Sequence, residues 1–213
     1  LGCVDWLAAK SGEDAERFVE LGMASDHIQV VGSMKFDMAL DDASLKVSER
    51  LHAAIGHRPI WVAGSTHPGE DELLLGVQRR LQARFPDILL VLVPRHPQRF
   101  EEVARLCQEA GFETVRRSRG RVPSARAEIY LGDSMGELQA LYGTADLAFV
   151  GGSLVPIGGH NLLDPALMGV PVVTGPHIDN FEDVAQLLRD AGALVEIGDA
   201  DELVERVAAL LED

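Results

Sequence analysis

The sequence predicts an α/β fold built on a doubly wound parallel sheet with flanking helices. Short apolar runs alternate with amphipathic stretches along the whole chain, the pattern of consecutive βα units. The runs at 60–63, 88–93 and 147–150 are apolar throughout, as strands covered on both faces are. Polar clusters recur directly after these runs, where an open parallel sheet places its ligands.

Taken in order, residues 1–9 begin inside an apolar pattern, Ser11 caps a helix that stops at Gly22, and 28–31 reads as a strand. This opening resembles the tail of a βαβ domain, so a preceding segment is expected. A polar stretch holding Asp41, Asp42 and Ser44 marks a boundary. It divides 1–40, a tail and linker, from a domain over 41–213. A helix is expected around 47–55. Strand 60–63 leads through Gly64-Ser65-Thr66-His67-Pro68-Gly69 into a helix over 70–84, with Leu73, Leu74, Val77 and Leu81 on one face. Strand 88–93 ends in Pro94-Arg95-His96-Pro97 and is followed by a helix over 99–110. Short strands at 113–115 and 128–131 flank an arginine-rich loop. Gly132-Asp133-Ser134-Met135-Gly136-Glu137 opens the next helix, with Ser134 and Glu137 spaced as a capping box. Helix 180–191, strand 194–197 and a helix over 201–211 complete the chain.

The centre of the pattern is 147–173. A strand is followed by Gly151-Gly152-Ser153 and Gly158-Gly159, then by a helix with Asn161 as N-cap and Pro165 in its first turn. Strand, glycine loop and helix start together make a corner where backbone amides could meet an anion. His160, Asn161 and Asp164 add polar side chains that a purely structural connection has no use for.

The chain has 213 residues, 46% hydrophobic and 25% charged, enough for a proper core. A formal net charge of −15 argues against nucleic acid as a partner, which needs a basic face. No apolar run approaches the roughly 20 residues of a membrane span. Cys3 and Cys107 lack metal spacing and read as reduced thiols of a cytoplasmic protein. The local exception in charge is Arg116-Arg117-Ser118-Arg119-Gly120-Arg121, either a solvated loop or a seat for an anionic head group. Asp199-Ala200-Asp201 sits where acids suit a helix start, so no metal site is expected. No nucleophilic triad, phosphate-binding lysine loop or G-x-G-x-x-G is present, and no cofactor is expected. Arg95, directly after an apolar strand and a proline, needs an anion or open solvent. Facing an anion, it would contribute about 1.5–3 kcal/mol.

Five motifs in this order, Gly32-Ser33-Met34-Lys35-Phe36-Asp37, Gly64-Ser65-Thr66-His67, Pro94-Arg95-His96-Pro97, Asp133-Ser134-Met135-Gly136-Glu137 and Gly158 to Pro165, resemble the 3-deoxy-D-manno-octulosonic acid (Kdo) transferases of lipopolysaccharide synthesis. Ser33 and Met34 depart from the family's usual G-N-L-K-F-D. The resemblance implies a GT-B glycosyltransferase with CMP-Kdo as donor and a lipid A precursor as acceptor, inverting and metal-independent. It implies CMP contacts from Pro94, Arg95, Met135, Gly136, Glu137, Asn161, Leu162, Leu163 and Asp164. Lys35, Ser65, Thr66 and His160 are further candidates for the donor. The family's catalytic carboxylate and membrane-binding surface would precede Leu1, and its final helix would follow Asp213. The expectation is therefore a soluble donor-binding half, inactive alone, of an enzyme working at the cytoplasmic face of the inner membrane. A different GT-B enzyme, such as a UDP-sugar transferase or epimerase, and a non-catalytic nucleotide-binding module are the competing expectations.

Overall fold

The structure is a computed structural model that describes residues 3–32 and 40–212. It divides into two compact units, Leu1–Ala39 and Leu40–Asp213. In the first, β1 (Leu7–Ala9) pairs in parallel with β2 (Ile28–Val30), and α1 (Gly12–Glu20) connects them. The Asp14 amide donates to Ser11 Oγ at 3.1 Å, the expected N-cap. Trp6, Leu21, Val30 and Val31 of this unit are exposed.

The second unit holds α2 (Asp42–Ile55), β3 (Ile60–Thr66), α3 (Glu70–Leu81), β4 (Leu89–Pro94), α4 (Phe100–Glu109), β5 (Thr114–Arg116) and β6 (Ile129–Leu131). It continues with α5 (Leu138–Tyr142), β7 (Leu147–Val150), α6 (Leu163–Leu167), β8 (Val172–Thr174), α7 (Glu182–Asp190), β9 (Leu194–Glu196) and α8 (Ala200–Glu212). The polar stretch before α2 belongs to the helix, because the Asp41 carboxylate accepts from the Ala43 and Ser44 amides.

Seven strands form one parallel sheet in the order β5-β6-β4-β3-β7-β8-β9. From β3 the chain winds one way through β4 to β6, then crosses to β7 and winds the other way. The switch point therefore lies between β3 and β7. The β3, β4 and β7 side chains are buried throughout, which explains their uninterrupted apolar runs. Trp61, Leu90, Leu92 and Phe149 pack with Leu74 and Leu81 of α3 and with Leu203 and Val207 of α8. Inside this cluster, Trp61 Nε1 donates to Gln78 Oε1 at 2.7 Å, and Gln78 Nε2 donates to the Ile88 carbonyl at 3.0 Å. Cys107 lies in this core, and burial pushes its thiol up to about 12. Asp199 caps α8 by accepting from the Asp201 and Glu202 amides, as its position in the sequence predicts. Among the described residues, no helix is long and apolar enough to cross a membrane.

Candidate functional site

The carboxyl ends of β3 and β7 approach each other closely at the switch point. A Cβ on Gly151 would stand 2.7 Å from the Ser65 carbonyl oxygen and 2.8 Å from Thr66 Cα, so only glycine fits. Gly64 is crowded in the same way by the Tyr142 hydroxyl. The strand register slips between Gly64 and Thr66, and Ser65 sits at φ +58. Such a left-handed non-glycine residue costs roughly 1–3 kcal/mol and marks a place the surrounding structure over-determines.

The glycine loop after β7 does not present its amides to solvent. Glu70, the first residue of α3, is wholly buried. Its carboxylate accepts from the amides of Gly152 (2.7 Å), Ser153 (3.1 Å), Leu154 (3.0 Å) and His67 (2.9 Å). The anion cradle expected from the sequence is thus filled from within the protein. The physical reason is plain: three converging N–H groups in a dry corner need an acceptor, and an internal carboxylate supplies one. Ser153 secures the other side, donating to the Val150 carbonyl at 2.6 Å and accepting from the Gly175 amide at 2.9 Å.

Above this strut the polar side chains converge. His67 and His160 lie parallel, with ring centroids 5.0 Å apart and their Nε2 atoms 2.7 Å apart. That separation requires one ring to donate and the other to accept, so the pair carries a single proton between those two nitrogens. His96 meets His67 edge-on at 5.3 Å. Burial, followed by the positive neighbours His67, Arg95 and His96, holds the His160 imidazole down at about 4. Burial also lowers His67, with Glu70 opposing. Arg95 is exposed, and its amide donates to the Thr66 carbonyl at 3.0 Å. Among the described residues no carboxylate lies within ion-pair distance of the Arg95 side chain. Behind it, Arg99 pairs at 2.6 Å with the buried Asp71, which also accepts from Thr66 Oγ1 at 2.6 Å. Thr66 is therefore fully committed to the interior. Burial raises the Asp71 carboxyl despite both partners.

Beside β6, the arginine loop is divided: Arg119 and Arg121 are exposed, whereas Arg116 and Arg117 are drawn into ion pairs. Arg116 bridges Asp133 and Glu101, and Arg117 pairs with Glu137. The Ser118 amide and hydroxyl donate to Asp133 at 2.8 and 2.6 Å. Glu137 does not close a capping box, since its carboxylate is taken by Arg117 and by the Ser134 hydroxyl. Helix α5 starts with no side-chain cap. Met135, 65% exposed, and Gly136 stand at the rim. On the β7 side, Asn161 Oδ1 accepts from the Leu163 amide at 3.2 Å, so helix α6 begins at Leu163 and runs only to Leu167. Leu162 and Leu163 are buried and leave only backbone for a ligand. Burial raises the Asp164 carboxyl, with Asn161 opposing.

The edge thus gathers Ser65, Pro94, Arg95, Met135, Gly136, Glu137 and His160 to Asp164, while Lys35 lies outside the described residues. Glu70, Asp71 and Arg99 contribute without being singled out by the sequence. For Glu70 the available signal was an acid placed directly after His67-Pro68-Gly69 at a helix start. Among the described residues, no three His, Cys, Asp or Glu side chains are placed to hold a metal ion.

Comparison with known proteins places the chain in a family. A profile described as 3-Deoxy-D-manno-octulosonic-acid transferase (kdotransferase) matches residues 1–38. The 3-deoxy-D-manno-octulosonic acid transferase of Haemophilus influenzae is 41% identical over 210 residues, covering 98% of this chain and 49% of that protein. The Bordetella pertussis protein of the same name is 39% identical over 217 residues, covering 100% and 50%. The chain spans about half the length of the curated relatives it matches. Among solved structures, the C-terminal CMP-Kdo binding domain of WaaA from Acinetobacter baumannii superposes with a TM-score of 0.77 at 36% identity, covering 81% of this chain and 91% of that domain. A complex of S. aureus MnaA with UDP shares the fold at 16% identity and a TM-score of 0.58. Sequence and structure agree across 81% of this chain and 91% of the WaaA domain, and the chain belongs to the Kdo transferase family.

Proposed function

We propose that this chain is the donor-binding half of a Kdo transferase and seats CMP-Kdo along the carboxyl edge of its sheet at the β3–β7 switch point. The observation that carries this is Arg95: an exposed guanidinium at the switch point, without a carboxylate partner among the described residues, in a chain of net charge −15. A cation kept unpaired in an acidic protein suits an anionic ligand. Pro94 and Arg95, Met135, Gly136 and Glu137, and Asn161 to Asp164 contact the CMP moiety from three sides. Ser65, Thr66, His160 and Lys35 are secondary contacts. Thr66 acts from within, since its hydroxyl already serves Asp71.

In the parent enzyme, residues 1–40 form the tail of an acceptor-binding domain and 41–213 the donor domain. The acceptor is a lipid A precursor, met through the other domain at the cytoplasmic face of the inner membrane. Transfer proceeds with inversion and without a metal. It needs a base within reach of the acceptor hydroxyl, a role assigned to no carboxylate in this chain, so the chain alone transfers no sugar. Calorimetric titration with CMP, UMP and AMP tests the reading. CMP is expected to bind in preference to both, and Arg95→Ala to weaken it at least about tenfold, or roughly 1.4 kcal/mol. Preference for UMP, or equal CMP affinity in the variant, would overturn it.

A further inference from the structure

We propose that Arg95, His96 and the His67–His160 pair form one oxyanion subsite, and that the pair takes up a second proton when the donor's anionic group docks. The inference rests on the donor-binding reading above and deepens it. Four cationic or protonatable side chains from three segments meet at the switch point: His67 after β3, Arg95 and His96 after β4, and His160 after β7. The acidic groups nearby are already engaged, Glu70 by four amides and Asp71 by Arg99 and Thr66. Arg99, the remaining charge facing His67, is spent on Asp71. Arg95 is thus left as the cluster's cation without a carboxylate partner among the described residues.

In the structure one proton lies between the two Nε2 atoms, 2.7 Å apart. An incoming oxyanion beside Arg95 and His96 favours the charged imidazole over the neutral one. A proton then passes from solvent to the accepting Nε2. Both rings become donors there, their mutual contact breaks, and one N–H is freed to turn to the ligand oxygen. No other bond is made or broken. Because burial holds His160 at about 4, uptake on docking raises that value. Affinity then increases as pH falls from the bound-state value toward 4.

The phosphate and the sugar-acid carboxylate are two sources of the same oxyanion chemistry, and two ligands separate them. Dissociation constants for CMP and for CMP-Kdo are measured on the 213-residue chain from about pH 8 to about pH 5.5, with a limiting slope of about tenfold per pH unit. CMP's own monoester phosphate titrates near about pH 6, so the CMP series is read as the difference between wild type and His160→Gln. Tighter binding at lower pH with both ligands, lost in His160→Gln, places the phosphate in the subsite. The same behaviour with CMP-Kdo alone places the carboxylate there. Should His160→Gln fail to fold, His67→Gln removes the other half of the pair and is read in the same way. Binding of both ligands with no pH slope, or with a slope that the variants keep, overturns this inference and leaves the donor-binding reading standing. Failure of both ligands to bind at any pH overturns the two together.

Discussion

Glu70 occupies the first turn of a helix, a position where an acid ordinarily faces solvent and complements the helix dipole. Here it turns inward and gathers four amides. In Glu70→Gln, an amide group replaces one oxygen and faces N–H groups instead of accepting from them. The expected loss of stability is about 2–4 kcal/mol, read as a shifted midpoint in urea with an unchanged slope. A loss below about 0.5 kcal/mol would show that the loop does not depend on the strut. The same comparison shows what a sequence reveals about single residues. Arg95 is legible, because a cation straight after an apolar strand has few places to go. Glu70 is less so, because three of its four partners return 82 to 84 residues later, and an acid at a helix start ordinarily faces solvent.

Among the elements, the long helices and buried strands follow directly from periodicity, and the short ones do not. Helix α6 has five residues where the pattern 161–168 reads as a longer helix. Asn161 spends its side chain on the Leu163 amide, and Pro165 brings no N–H to the first turn. The arginine loop is the other departure. Arg116 and Arg117 look unengaged in sequence because their carboxylates come from α4, from the end of β6 and from the start of α5. This pairing has a pH signature. Arg117, with the Ser134 hydroxyl, holds the Glu137 carboxyl below its ordinary 4.5 against the opposing effect of burial. At Asp133, Ser118 and Arg116 outweigh burial and hold the carboxyl below 3.8. A carboxyl lowered in the folded state stabilises fully above its unfolded value and ceases to do so as pH falls through its folded value. The melting temperature of wild type should therefore exceed that of Glu137→Gln at neutral pH, with the gap closing as pH drops below 4.5. A gap that stays constant down to unfolding would remove the ion pair as its cause.

For the molecule as a whole, alternation of strands and helices announces a parallel sheet, but not the order of its strands. That order, and with it the switch point between β3 and β7, depends on pairings such as Trp61 with Leu147 that no local signal encodes. The site follows from the order, which is why the polar clusters were visible in sequence and their convergence was not. Among the described residues, the main hydrophobic cluster runs from Trp61 to Leu211, within the larger unit. A chain beginning at Leu40 should accordingly fold by itself and melt within about 4 °C of the 213-residue chain. A non-cooperative transition in that shortened chain would show that the first unit is needed for the second to form.

Glu70 has one more effect, on how a nucleotide would be received. The protein carries a resident counter-ion for residues 152–154, so their arrangement is fixed during synthesis of the fold and does not wait for a visitor. Entropy that a floppy phosphate loop would surrender at each encounter has already been given up here. The floor of the cleft is rigid from the outset, and adaptation on docking is left to the side chains that stand on it.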